Sequence, residues 1–481
     1  MSVKDPSLDY EPLRRTPSKS IAEDAEEFSF KRPARAATVD DEWTRAGSSA
    51  TASPETAPVN KRDAEIPRVK ETWIHKHGHT LSYAGIFLFT AFVFFRPYEW
   101  STSFFWLRSA AFWIALATTI VFVLTQLGLE NTITARPREV NLVLLLTLTG
   151  LLSIPLALEP GKAFDSFVEF VKVVLIFIVM INVIRTEKRL QRLWILVLLA
   201  TCVLSINAIN DYRLGVFALQ GRRIKGSIGG LFDNPNDLAL HLVTVLPIAL
   251  TLAFSSRNPL TKLPYLFAAL LTVGGIIVTF SRGGFLALLA TLVVLLWKFV
   301  RSSRWLIAPA AAVLIVLFAI LAPVKYKERL STTGDDSSMA RFDDLKRSLF
   351  IAARHPVFGV GMDNYILYSN ANKASHNAYT QVASEMGAAA ALCYILFIVT
   401  PFKGLRRIER KTYGIQSARS FHYASIALQA SLAGYMVASF FVSVAYLWYI
   451  YYLVAYAVCL RRIYDSVESG TSVNNSSVYS I

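Results

Sequence analysis

The chain reads as an all-α polytopic membrane protein with about twelve transmembrane helices and one large external loop between spans nine and ten. Three observations predict this. Of 481 residues, 54% are hydrophobic and only 17% charged, well to the apolar side of soluble domains. Apolar runs of about 20 residues, enough to cross a hydrocarbon core, recur about twelve times. One long stretch, 324–381, is polar in an otherwise apolar body.

Residues 1–72 predict a disordered cytoplasmic tail. Ser, Thr, Pro and Ala dominate it, and its 12 basic and 14 acidic residues nearly cancel. Such a segment buries too little apolar surface to offset its chain entropy. The net charge of +15 therefore resides in the body. The first apolar run begins only near residue 80, so no cleavable signal peptide is expected. His75, His77 and His79 alternate just before it; ordinary juxtamembrane polarity accounts for them better than a metal site.

The expected spans are 80–96, 106–128, 139–158, 165–184, 190–210, 236–254, 264–280, 283–300, 305–323, 382–402, 421–442 and 445–460. Together they form a transmembrane body over 80–460, followed by a cytoplasmic C-terminal tail at 461–481. Cys202, Cys393 and Cys459 all fall inside spans and read as small packing residues. Glu169 and Lys172 sit one turn apart in the fourth span. An intramembrane ionisable pair points either to a functional site or to mutual neutralisation.

Orientation follows from charge. With the tail inside, the short inner loops carry 17 basic residues and the short outer ones four (Arg96, Arg108, Lys162 and Arg282). The positive-inside rule favours that arrangement. It puts three features on the outer face: the 211–235 loop, the turn at Ser281-Arg282-Gly283, and the 324–381 loop.

Each outer feature carries candidate chemistry. Arg222, Arg223 and Lys225 precede Asn234 and Pro235, which read as N-cap and first residue of the sixth span. The cations suit an anion or a lipid headgroup. Arg282 interrupts a long apolar stretch, where a cation is costly. It reads as a phosphate ligand or as an interfacial anchor, and Gly283 and Gly284 would let a backbone or ligand approach. In the large loop, Met339, Phe342, Leu345, Leu349 and Ala353 recur at helical spacing. They predict a short helix from a cap at Ser337 or Ser338 to the stop at Pro356, lying on the membrane surface or the bundle mouth. Asp343 and Arg347 fit an ordinary i,i+4 surface pair, and the role of Arg341 stays open.

His376 is the strongest candidate for proton transfer. With Ser375 as cap, it would occupy the first turn of the tenth span. A helix N-terminus and nearby arginines favour a neutral ring, the state a general base needs. The alternative is a histidine that merely caps or packs. Glu385, nine residues on, is not its obvious partner. The sequence contains no P-loop, no GxSxG elbow and no clustered carboxylates for a metal.

Five segments then carry a family resemblance: FFRPYEW (94–100), RRIKGSIGGLFDNPNDLAL (222–240), TFSRGGFLALL (279–289), ARFDDLKRSLFIAARHPVFGVGMDNY (340–365) and SHNAYTQVASEMG (375–387). In this combination and order the chain, over roughly 80–460, resembles the O-antigen ligase and O-antigen polymerase superfamily of bacterial inner-membrane proteins. The resemblance implies an enzyme at the periplasmic face that takes a glycan from undecaprenyl pyrophosphate and joins it to an acceptor hydroxyl. No nucleotide sugar, metal or other cofactor is implied, and nucleic acid is no partner. By the same likeness Arg282 and one of Arg222 or Arg223 would hold pyrophosphate, Arg341 would lie near the donor, and His376 would engage the acceptor. Leu345 stands where an aromatic residue commonly follows the loop arginine.

The residue types suit that chemistry, since guanidinium forks stabilise charge developing on a leaving pyrophosphate. Lipid A core, a growing glycan or a protein are all open as acceptor. A polytopic transporter or flippase is the rival class, though no repeat of broken helices is visible between the halves.

Overall fold

The computed structural model describes residues 73–99, 102–130, 134–216, 224, 232, 234–299, 336–369 and 374–478. The expected span 305–323, the start of the large loop, and Arg222 and Arg223 lie outside them. Among the described residues every regular element is helical. The longer ones are α1 (Trp73–Phe95), α2 (Ala110–Glu130), α3 (Arg138–Ser153), α4 (Pro160–Val183), α5 (Glu187–Arg213), α6 (Pro235–Ser255), α7 (Pro259–Val278), α8 (Arg282–Phe299), α9 (Asp336–Arg354), α10 (Ala378–Met386), α11 (Ala388–Thr412), α12 (Arg419–Ala438) and α13 (Trp448–Val478). Ten of these, α1 to α8, α11 and α12, are long and apolar enough to cross a membrane. The chain is an all-α polytopic membrane protein.

Without a hydrophobic drive between helices in lipid, close packing by small residues holds such a bundle. The α1–α2 seam shows how: a Cβ on Gly78 or Gly85 would come within 2.1 Å of the hydroxyl of Thr125 or Thr118. Those hydroxyls donate back to the carbonyls of Val121 and Ile114, so the seam is close-packed without stranding a polar group. At the centre, α13 buries Tyr449, Tyr451, Tyr452 and Tyr456. The Tyr452 hydroxyl meets Thr90 of α1 at 3.0 Å, and that of Tyr451 donates to the Ala445 carbonyl.

Successive spans reverse direction, so connections gather at two ends. One end is strongly basic and stapled by ion pairs: Arg461 grips Glu139 of α3 through two bonds of 2.8 and 2.9 Å, and Lys298 meets Glu409 at 2.6 Å. Glu139 is completely buried, so removing Arg461 would strand a charge, at a cost of about 3–5 kcal/mol. The other end carries α9, α10 and the segment 439–447.

The expected tenth span is corrected here. It is not one helix over 382–402 but two, α10 and α11, broken at Gly387 with φ 91°. The three cysteines are free, with Cys393 and Cys459 buried, as packing residues should be.

Candidate functional site

At the end opposite the ion-pair staples, α7 turns into α8 through Thr279, Phe280 and Ser281. Phe280 takes the left-handed conformation, φ 51°, while its ring is buried. Ser281 caps α8: its Oγ accepts from the Gly284 N–H at 3.1 Å and donates to Asn236 Oδ1 at 2.7 Å. Asn236 stands in the first turn of α6, whose N-cap is Asn234 with Pro235 following, as the sequence predicts. Arg282 is therefore the first residue of α8, half-buried and held from both sides. Gly283 and Gly284 serve packing with protein rather than with ligand. A Cβ on the first would meet Phe441 at 2.8 Å, and one on the second Ala239 at 2.5 Å.

The cap of the His376 helix is also corrected. Asn377, not Ser375, is the N-cap of α10: its Oδ1 accepts from Tyr379 N at 2.9 Å and Thr380 N at 3.1 Å. His376 stands one residue before the cap, half-exposed in the left-handed region at φ 53°. Its neighbours Ser375 and Asn377 are both buried. Ser375 Oγ donates to the Asn377 carbonyl and lies 3.2 Å from Ser443 Oγ. Two locked residues thus hold the imidazole at the mouth of a helix, in a backbone state costing roughly 1–3 kcal/mol.

One short segment links the two candidates. Phe441 packs on Gly283 beside Arg282, and Ser443 touches Ser375 beside His376. Tyr379 of α10 also donates to the Met436 carbonyl at the end of α12.

The HPVFGVG stretch (355–361) wraps the C-terminus of α10. Val360 N and Gly361 N donate to the Ser384 and Glu385 carbonyls, both at 2.9 Å, and Ala388 N donates to the Pro356 carbonyl at 2.8 Å. This close wrap has no room for side chains at its glycines. A Cβ on Gly359 would lie 2.3 Å from the Glu385 carbonyl carbon, and one on Gly387 2.2 Å from the Val357 oxygen. Glu385 itself is buried and accepts from the Tyr446 hydroxyl at 2.8 Å and from the backbone of Asp363 and Tyr365. Burial outweighs these bonds and raises its carboxyl to about 8.

Arg341 lies half-buried on α9, whose residues Ser348 and Ile351 are buried. The helix is tied down by Arg347, which donates to the Tyr368 carbonyl, and by Tyr365, which donates to the Asp344 carbonyl, each at 3.1 Å. Met339, Phe342, Leu349 and Phe350 are exposed, as suits a helix lying on a membrane surface or bundle mouth. Glu169 and Lys172 do pair, at 2.5 Å. Their side chains are 71% and 39% exposed, so the pair faces open cavities rather than the bundle interior.

The sequence reading missed Asn377, Tyr446, Gln381, Ser443, Asp165 and Asp363 as parts of this end. Only Asn377 carried a visible signal, as a capping residue directly after the histidine. Among the described residues no group of three His, Cys, Asp or Glu side chains is placed to hold a metal.

Residues 267–395 match the O-antigen ligase family. A solved structure titled "Structural coordination of polymerization and crosslinking by a peptidoglycan synthase complex" aligns with a TM-score of 0.39 at 16% identity, covering 68% of this chain and 97% of that one. No curated protein matches.

Proposed function

On the premise of that O-antigen ligase segment, we propose that the chain transfers a glycan from a polyprenyl-pyrophosphate carrier, of the undecaprenyl type, to an acceptor hydroxyl in surface-polysaccharide assembly. What supports this reading is that Arg282 and His376 both stand at one end of the bundle, next to residues that meet Phe441 and Ser443 of one short segment. That end would face the periplasm in a bacterial inner membrane, following the charge asymmetry of the loops.

The acceptor oxygen attacks the anomeric carbon and the bond from that carbon to the pyrophosphate oxygen breaks, the electron pair leaving with the pyrophosphate. Arg282, with Arg222 or Arg223 and Arg341, neutralises the charge that develops there. His376 takes the hydroxyl proton as the new bond forms. Guanidinium groups fill the part often given to a divalent cation, so transfer should persist in excess EDTA.

The test is incubation of the purified full-length protein with lipid-linked glycan and candidate acceptors, the product followed by mass. Transfer that needs both Arg282 and His376 supports the reading. Transfer surviving loss of both, or transport of the lipid with no new glycosidic bond, overturns it.

A further inference from the structure

At the end of the bundle opposite the Arg282 turn, α11 passes into α12 through the connection 413–418. Gly414 takes the left-handed conformation there, φ 77°, which lets so short a link reverse direction. The connection borders a cavity of about 390 Å³ lined by Thr412, Tyr413, Gln416, Arg419, His422 and Tyr423. None of the described residues lining it is acidic. Glu409, one turn before Thr412 on α11, is held by Lys298 at 2.6 Å and Gln429 at 2.9 Å, so its charge is already matched. The cavity is therefore left with a cationic character.

Arg419 is the cation in question. Its guanidinium carbon lies 5.4 Å from the centre of the Tyr423 ring, a cation–π contact that orients the fork. Tyr423 is itself held by the rings of Phe254 and Phe299, each 5.9 Å away. Arg419 Nε is buried and has no hydrogen-bond partner among the described residues. A buried donor left unmatched is costly, and phosphate oxygens have the geometry that a guanidinium fork fits. His422 lines the same cavity, its ring fixed by Nδ1 donating to the Glu409 carbonyl at 3.2 Å.

The surroundings point to lipid as the source of that phosphate. Tyr413 and Ile415 of the connection are 61% and 48% exposed, and Phe299 beside Tyr423 is exposed as well. Aromatic rings bared at the ends of spans mark the membrane–water interface. Lys403, Arg406 and Arg410 recur at intervals of three and four along the last turns of α11. All three are exposed, with no hydrogen bond or ion pair among the described residues. Arg407 and Lys411, by contrast, pair with Asp465 and Glu468 of α13. An unmatched basic row at headgroup level attracts anionic lipid.

We propose that the cavity at the α11–α12 connection is a binding site for the headgroup of an anionic phospholipid from the leaflet at this end of the bundle. Arg419 holds the phosphate, and the row of Lys403, Arg406 and Arg410 gathers anionic lipid around it. The acyl chains lie along the exposed apolar side chains of Tyr413, Ile415 and Phe299.

The experiment titrates the purified full-length protein in detergent with phosphatidylglycerol and with phosphatidylcholine of the same acyl chains, and reads bound lipid by native mass spectrometry. Phosphatidylglycerol should bind at least about tenfold more tightly, because the choline charge of the other lipid cancels the attraction. In Arg419→Gln that preference should fall to about one. Gln416→Glu should do the same by placing a carboxylate in the cavity, and at an exposed position it keeps the test open even if the Arg419 variant fails to fold. Equal binding of the two lipids by the wild type, or a preference unchanged in either folded variant, overturns the proposal. A final arm adds millimolar inorganic phosphate. Bound phosphatidylglycerol should resist it; displacement would give the site to a soluble anion and overturn the lipid assignment.

Discussion

Arg282 is fixed by its neighbours: Ser281 is bonded to α6 and Gly283 is pressed against Phe441. Its guanidinium therefore starts from an ordered backbone, the condition for stabilising charge without reorganisation. Arg282→Ala is expected to lower turnover by at least about 10²-fold while the protein still inserts and folds. Arg282→Lys should recover little of this, because an ammonium lacks the bidentate fork. Near-normal glycan transfer by the alanine variant would reduce Arg282 to an interfacial anchor. His376 sits before the Asn377 cap rather than inside the helix, which leaves its ring at the open mouth of α10. His376→Ala should lower kcat roughly 10²–10⁴-fold with donor binding retained. The glutamine variant separates two roles, since an amide accepts a hydrogen bond but is no useful base. Wild-type turnover in His376→Gln would remove the proton-transfer role.

α10 depends on the wrap around its C-terminus, and that wrap depends on two glycines. At Gly359 and Gly387 φ is 67° and 91°, and an added Cβ would strike backbone rather than a movable side chain. Gly387→Ala should therefore cost more than the roughly 1–3 kcal/mol of backbone strain alone, visible as a lower Tm in detergent and as lost transfer with Arg282 and His376 both intact. A Tm unchanged by that substitution would mean the wrap is dispensable. Glu385 adds a pH signature to the same element, which lies outside the spans. Its folded pKa, about 8, is above its ordinary 4.5, so between these values the folded state holds a proton that the unfolded state has released. Stability should thus fall as pH rises from about 4.5 to 8 and level off beyond. Glu385→Gln should flatten that part of the profile; an equally steep slope in the variant would assign it to another group.

For the whole molecule, the basic end with its ion-pair staples is expected to be cytoplasmic and the end carrying α9 and α10 external. Cysteines placed singly at Asp343 and Ser417, both exposed, test this in a background lacking Cys202, Cys393 and Cys459. An impermeant reagent applied to intact spheroplasts should label the first and spare the second. Reversed or equal labelling would reject the topology and, with it, the periplasmic placement of the candidate site.

The spans that form α1 to α8 and α12, the amphipathic α9, the Asn234–Pro235 start of α6 and the Glu169–Lys172 pair were legible in the sequence because each is written in local spacing. Hydrophobic run length, capping chemistry and one-turn intervals need no knowledge of what lies across the bundle. Arg282 stood out as a cation in an apolar stretch, where the local pattern makes one costly, and His376 as a histidine at an expected helix start. The tertiary structure alone decided what the glycines between them are for. Gly359 and Gly387 answer to backbone brought against them by the wrap, and Gly283 to a ring some 160 positions away in the chain. The break at Gly387 follows from the same long-range contacts, whereas the cap at Asn377 is local, its Oδ1 accepting from Tyr379 N and Thr380 N. Glu385 could not be read from its helix, because the Tyr446 hydroxyl that holds it belongs to a segment 61 residues further on. Close packing and buried hydrogen bonds are formed between distant segments, and sequence periodicity records only near ones.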